Sequence, residues 1–211
     1  MTKKHFIFNK SLRLLLIVFL IFPALSAKAL TAAEIFEKGK SKLESAKTLS
    51  ADFKMSYGNG TVSGKLYSKG SKFAIISKNL SNWYNGTDLY TYNASQGETT
   101  IFNPSQSELS EINPLLYLNS SSGYNILGSK ESKDGVETIM LVPKTKTSSV
   151  KSVKIDLDSK NFLPKAIKIV TSSGSKVDIT ISNIKLDSDI SDNTFNYPKS
   201  SYPNIPVTDM R

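Results

Sequence analysis

Leu49-Ser50-Ala51-Asp52-Phe53-Lys54-Met55-Ser56-Tyr57 decides the architecture of this chain, because here the apolar period drops to two. Ala51, Phe53, Met55 and Tyr57 fall on one side of an extended backbone, and Ser50, Asp52, Lys54 and Ser56 fall on the other. Immediately upstream the period is helical. Thr31 and Glu34 have capping-box spacing, Leu30 and Ile35 can staple the helix start, and Ala32, Phe36, Gly39, Leu43 and Ala46 form one stripe. A single short helix therefore precedes a β domain, and the small Gly39 and Ala46 allow it to lie close against a sheet.

Downstream the alternation continues through turns at Gly58-Asn59-Gly60 and Gly70, with strands around Val62 to Tyr67 and Phe73 to Ile76. Trp83-Tyr84 and Leu89 to Tyr92 flank Asn85-Gly86, a hairpin signal because both residues tolerate positive φ. Glu98 to Phe102 is a further strand. Between Asn103 and Gly128 the pattern breaks, and Ile112-Asn113-Pro114-Leu115-Leu116-Tyr117-Leu118 reads as a short helix with Pro114 at its first position. That insert is apolar for a connection, so it needs a surface to cover. Strands resume at Val136 to Val142, Val153 to Leu157, Leu163 to Val170 and Val177 to Ile184. The total of roughly nine to eleven strands with a few short helices predicts a mostly β, α+β chain: one large, curved antiparallel sheet.

Composition narrows the chemistry. Residues 1–29 combine a basic start (Lys3, Lys4, Lys10, Arg13), an apolar run from Leu14 to Leu25 and a small-x-small site at Ala27-Lys28-Ala29. This is the pattern of a cleavable signal peptide, and residues 30–211 form the single expected domain, starting at Leu30. No cysteine follows the apolar run to carry a lipid anchor. The only histidine, His5, lies in the signal, and the chain has no cysteine. Zinc sites, Ser-His and Cys-His catalysis and disulfides are thereby excluded from the mature domain, so no metal, no cofactor and no catalytic residue is expected. The signal holds five of the 27 basic residues and no acid, which leaves 22 against 18, or a net +4. Scattered charge of that size argues against nucleic acid as a partner. Asp52, Asp88, Asp156 and Asp178 alternate with apolar residues and read as solvated positions, not as a paired-carboxylate cleft. Asp156 to Asn161 lacks the central Gly and final Glu of a calcium loop, and reads as an ordinary turn.

Taken in order, the pieces resemble the LolA family of periplasmic lipoprotein carriers, in a form like those of the Bacteroidetes. The resemblance runs through Leu49 to Phe53, Gly64-Lys65-Leu66-Tyr67, Lys72-Phe73, the hairpin Asn85 to Tyr92, Asn113-Pro114-Leu115, Leu141 to Lys144, Thr194-Phe195, and Tyr202-Pro203 to Arg211. It implies an unclosed antiparallel β half-barrel covered by a helical lid, with acyl chains of a lipoprotein held between them. It also implies a monomer in the periplasm that takes acylated lipoproteins from an inner-membrane exporter and passes them to an outer-membrane acceptor. On the acceptor's identity no residue reports. Many relatives place an Arg-Pro before the Phe of the third strand, where the Arg helps close the lid. Here the stretch is Lys69-Gly70-Ser71-Lys72-Phe73, so Lys69 or Lys72 is left as the candidate latch.

A carrier of this kind needs large apolar side chains facing inward from the sheet. The candidates are Phe53, Met55, Tyr57, Leu66, Phe73, Ile75, Trp83, Tyr90 and Tyr92, with Leu115, Leu116 and Leu118 on the lid. Alternation groups these residues but leaves the sign of each face open, since one residue of register inverts it. Two other readings remain: the same fold carrying free lipid or glycolipid, and an envelope interaction or stress-sensing module that binds protein segments.

Overall fold

The computed structural model describes residues 29–119, 121–128 and 135–211. Residues 1–28, nearly all of the expected signal peptide, lie outside the described residues. Among the described residues no helix is long and apolar enough to cross a membrane.

Helix α1 (Ala32–Glu44) starts on the expected capping box, Thr31 with Glu34. Strands β1 (Leu49–Tyr57), β2 (Gly60–Lys69), β3 (Lys72–Ser77), β4 (Leu80–Tyr84), β5 (Leu89–Asn93) and β6 (Glu98–Phe102) follow as a meander. Helix α2 (Gln106–Ile112) and a 3-10 turn (Pro114–Asn119) interrupt it. The strands then resume with β7 (Tyr124–Gly128), β8 (Val136–Pro143), β9 (Val150–Asp158), β10 (Pro164–Thr171) and β11 (Lys176–Leu186), and β12 (Val207–Asp209) ends the chain. All belong to one sheet, in the order β12-β6-β5-β4-β3-β2-β1-β11-β10-β9-β8-β7. Each neighbouring pair is antiparallel except β12 on β6. The sheet is unclosed, with β12 and β7 at its ends, and the fold is the expected mostly β half-barrel.

Twelve strands exceed the number read from the sequence. β7 lies in the stretch taken for a connection, and β12 is three residues long, too short to show a period. The insert also holds more helix than expected. α2 is capped by Ser105, whose capping box with Glu108 repeats the spacing of Thr31 and Glu34, and Pro114 opens a separate 3-10 turn. Asn113 joins the two: its backbone N–H donates to the Leu109 carbonyl at 2.8 Å, and its side-chain oxygen accepts from the Leu115 N–H at 3.2 Å.

Two local devices shape the sheet. Asn183 takes φ 52° where the β1–β11 register slips between Ser50 and Asp52, the mark of a bulge, and its amide donates to the Asp52 carboxylate at 2.7 Å. Gly64 sits opposite Phe53 and Ser77, and a Cβ there would stand 2.1 Å from the Ile76 carbonyl oxygen and 2.9 Å from the Phe53 ring. Only glycine allows β2 and β3 to meet so closely under that ring.

The sheet has two apolar faces. The inner one, beneath α1, α2 and the 3-10 turn, carries Phe73, Leu89, Ile139, Leu141, Val153, Ile155, Leu157 and Ile167, and Phe36, Leu109, Tyr117 and Leu118 pack down on it. Gly39 brings α1 within a Cβ's reach of Leu157. The outer face of β3–β6 carries a separate cluster in which Ala74 and Trp83 meet Ile190 and Phe195. Each large side chain so buried contributes about 1.5–3 kcal/mol.

Candidate functional site

The inner seam is made by parity. Along β1 the inward residues are Leu49, Ala51, Phe53 and Met55; across β2 to β6 the partners of Leu49 run Ser68, Phe73, Tyr84, Leu89 and Phe102. Four apolar rings and side chains thus line up below α2. Leu115, Tyr117 and Leu118 from the 3-10 turn fill the space above, and Tyr117 meets Tyr124 edge-on at 6.0 Å. Burial pushes the Tyr117 hydroxyl well above its ordinary pKa, and Tyr124 and Glu111 push it further the same way. A hydroxyl of this kind stays protonated across the physiological range. One polar tie holds the cover from outside: the Ser149 hydroxyl donates to the Glu111 carboxylate on α2 at 2.8 Å.

Of the expected cavity residues, Phe53, Met55, Leu66, Phe73, Ile75, Leu115, Leu116 and Leu118 all belong to this inner cluster. Phe53, Met55 and Leu116 are only half-buried, as are Val177 and Ile181 on the neighbouring β11. Together they form an apolar strip that runs out from beneath the cover. Tyr57, at the far end of β1, is 53% exposed and stands outside the cluster.

Trp83, Tyr90 and Tyr92 correct the expectation: they lie on the outer face. The residues that follow β11 cross that face. Tyr197 stacks on Tyr90 at 5.4 Å and meets Trp83 at 5.5 Å, while Tyr202 packs on Tyr92 at 4.5 Å. The inward side chains beside Trp83 and Tyr90 are instead Tyr84 and Leu89, their alternation neighbours, and those beside Tyr92 are Thr91 and Asn93. Lys69 and Lys72 are likewise on the outer side, and both pair with Asp192 of the crossing segment, at 2.9 and 3.7 Å. They latch this strap and not the lid.

Asp52, Asp88 and Asp158 are each committed to a salt bridge. Asp52 takes Lys65 at 2.8 Å, Asp88 takes Arg211 at 3.2 Å, and Asp158 takes Lys165 at 2.8 Å together with the backbone N–H groups of Lys160 and Asn161. Those contacts hold the Asp158 carboxyl at about 2, and the Asp156–Asn161 stretch is a turn closed by Asp158. No group of three metal-ligating side chains forms among the described residues.

Sheet, cover and apolar seam define a class: an open half-barrel whose inner face is closed by short helices, suited to holding long apolar chains. The family model described as outer membrane lipoprotein carrier protein LolA matches residues 23–191. The chain belongs to that family. A search of curated proteins returns no match. Among solved structures, an uncharacterized conserved protein from Thermus thermophilus superposes with a TM-score of 0.56 at 10% identity, covering 84% of this chain and 98% of its own. A LolA superfamily protein from Nitrosomonas europaea gives 0.45 at 15% identity, covering 80% and 99%. The lipoprotein LppX of Mycobacterium tuberculosis gives 0.48 at 11% identity, covering 76% and 97%.

Proposed function

We propose that this protein carries lipoproteins through the periplasm, holding their acyl chains in the seam between the inner sheet face and the helical cover, without covalent chemistry. The observation that supports this most is the continuity of the inner apolar cluster. It passes without a polar break from the buried core into the half-exposed strip of Phe53, Met55, Val177 and Ile181. A di- or triacylated protein resists water by about 0.8 kcal/mol per CH₂, so its carrier must offer a long apolar surface that opens and closes. Here the surface is closed by side chains of a short insert, and parting the insert exchanges them for acyl carbon. An exporter in the inner membrane loads the carrier and an acceptor in the outer membrane unloads it. Cleavage before Leu30 frees residues 30–211 as a soluble monomer.

The test is release of a radiolabelled triacylated lipoprotein from spheroplasts, with and without the mature protein. A soluble one-to-one complex that Leu116→Asp abolishes supports the carrier. Extraction of plain phospholipid, with lipoprotein left in the membrane, transfers the reading to another lipid cargo. Extraction of neither ends it.

A further inference from the structure

The inner face is not apolar everywhere. Between β1 and β6 one register row runs Ala51, Leu66, Ile75, Asn82, Thr91, Thr100. Its first half is hydrocarbon and its second half is polar. On the lid side of that polar half stands the apolar row Tyr84, Leu89, Phe102. On the other side, at the rim, stands the row Leu80, Asn93, Glu98. Along β4–β6 the inner face therefore steps from hydrocarbon, through amide and hydroxyl, to amide and carboxylate, with about 7 Å between successive rows.

Asn82 is the unusual member, because it is only 6% exposed. Its side-chain oxygen accepts the Thr91 hydroxyl proton at 2.7 Å, which turns its NH₂ group away from Thr91. Among the described residues, neither Asn82 Nδ2 nor Thr100 Oγ1 has a hydrogen-bond partner. Among the described residues no sealed side-chain N or O atom lacks a partner, so both of these unpaired groups keep some accessible surface. An amide at so buried a position gives up much of its hydration, and an ordinary strand would place an aliphatic residue there.

We propose that Asn82 and Thr100, on either side of Thr91, receive the ester carbonyls that join the acyl chains to the glycerol of the cargo. The assignment rests on the acyl-carrier reading and gives the ligand an orientation within it. An ester carbonyl accepts hydrogen bonds and donates none, which matches an amide NH₂ and a hydroxyl that still have protons to give. The acyl chain lies away from it along Ile75, Leu66 and Ala51, three strand spacings or about 14 Å. The glycerol and peptide lie toward Asn93 and Glu98, where the rim is wet. Thr91 does not touch the ligand; it fixes which way the Asn82 amide faces.

Two probes separate this from simple grease binding: a fluorescent cysteinyl peptide bearing a dipalmitoyl glyceryl thioether, and the same peptide with both esters replaced by ethers. The wild-type protein binds the ester probe about tenfold more tightly, as one or two hydrogen bonds require. Asn82→Leu and Thr100→Val each remove most of that ratio and leave ether binding unchanged. Thr100→Val is isosteric and breaks no existing hydrogen bond, so it keeps the test valid where Asn82→Leu folds poorly. Equal wild-type affinity for the two probes, or an ester preference that survives Thr100→Val and Asn82→Leu, overturns the assignment while leaving the carrier reading intact. Binding of neither probe defeats the carrier reading itself, and the assignment falls with it.

Discussion

Leu118→Ala should weaken the fold and strengthen ligand binding at once. Leu118 sits on the 3-10 turn of the cover, is fully buried, and packs in the inner cluster against sheet residues that acyl chains would occupy. Trimming a buried leucine to alanine costs about 2–5 kcal/mol, the spread reflecting how far the surroundings collapse. That loss falls on the closed arrangement, in which the side chain touches the sheet. In the parted arrangement the contact is already gone. The closed-to-open ratio therefore drops by about thirtyfold at the lower end of the range. Apparent affinity is the intrinsic affinity reduced by the fraction of molecules that are open, so the apparent Kd of an acyl ligand tightens by up to the same factor while the closed form predominates. Leu141→Ala on β8 is the control. It removes an equally buried leucine from the same cluster but takes it from the sheet. It should cost a comparable amount of stability and gain no affinity, because it trims the sheet face and not the cover. Urea melts and fluorescence titration with a diacyl peptide give both quantities for each variant. If Leu118→Ala, like Leu141→Ala, loses stability and gains no affinity, the cover is not a plug competing with cargo and the reasoning fails.

Gly64→Val should lower the melting temperature by about 6–12 °C, since the new Cβ meets the Ile76 backbone oxygen, which no rotamer change relieves; the cost is about 3 kcal/mol. A differential scan of the purified variant checks this, and an unchanged melt would mean the β2–β3 spacing is looser than described. Tyr197→Ala removes stacking on Tyr90 and Tyr202 and the partner of the Thr99 hydroxyl, all on the outer face. It should raise binding of a hydrophobic dye and leave acyl-ligand affinity unchanged, and a loss of affinity would show that the outer aromatics take part in the site. The Asp158 carboxyl, held at about 2 by Lys165 and two backbone N–H groups, has a folded pKa below its ordinary 3.8. Its stabilising contribution is therefore complete above pH about 4 and is lost as pH falls toward 2. The stability gap between the protein and Asp158→Asn should be constant from pH 7 to 5 and close below pH 4, as acid-limb melts would show.

Alternation alone does not set which face of β4 and β5 turns inward. The stretches Trp83-Tyr84 and Leu89-Tyr90 each offer a large apolar residue in both parities, so period two marks the strands without choosing the inner side. In β1 the choice is forced, because Asp52 and Lys54 occupy the opposing positions and only Phe53 and Met55 can be buried. Around Trp83 nothing nearby breaks the tie. The decision is made more than a hundred residues later, where Tyr197 and Tyr202 supply the rings that cover Trp83, Tyr90 and Tyr92. Asp192 then secures that segment to Lys69 and Lys72, the pair the sequence offered as a lid latch. The fold class was legible because it depends on period and order, which are local. The site depends on which apolar face is left for a ligand, and that is settled by what the rest of the chain covers. The outer aromatics pack against the protein's own tyrosines in stacked, tilted and edge-on pairs at 4.5 to 6.0 Å, contacts a mobile cargo does not supply. The inner face is covered mainly by leucines and isoleucines, with Phe36 and Tyr117, on short helices, and the Ser149–Glu111 hydrogen bond is an exposed tie. Of the two apolar faces, the one closed largely by aliphatic side chains on a short insert is the one that hydrocarbon can replace at less cost, which is why the proposed carrier function assigns the cargo to it.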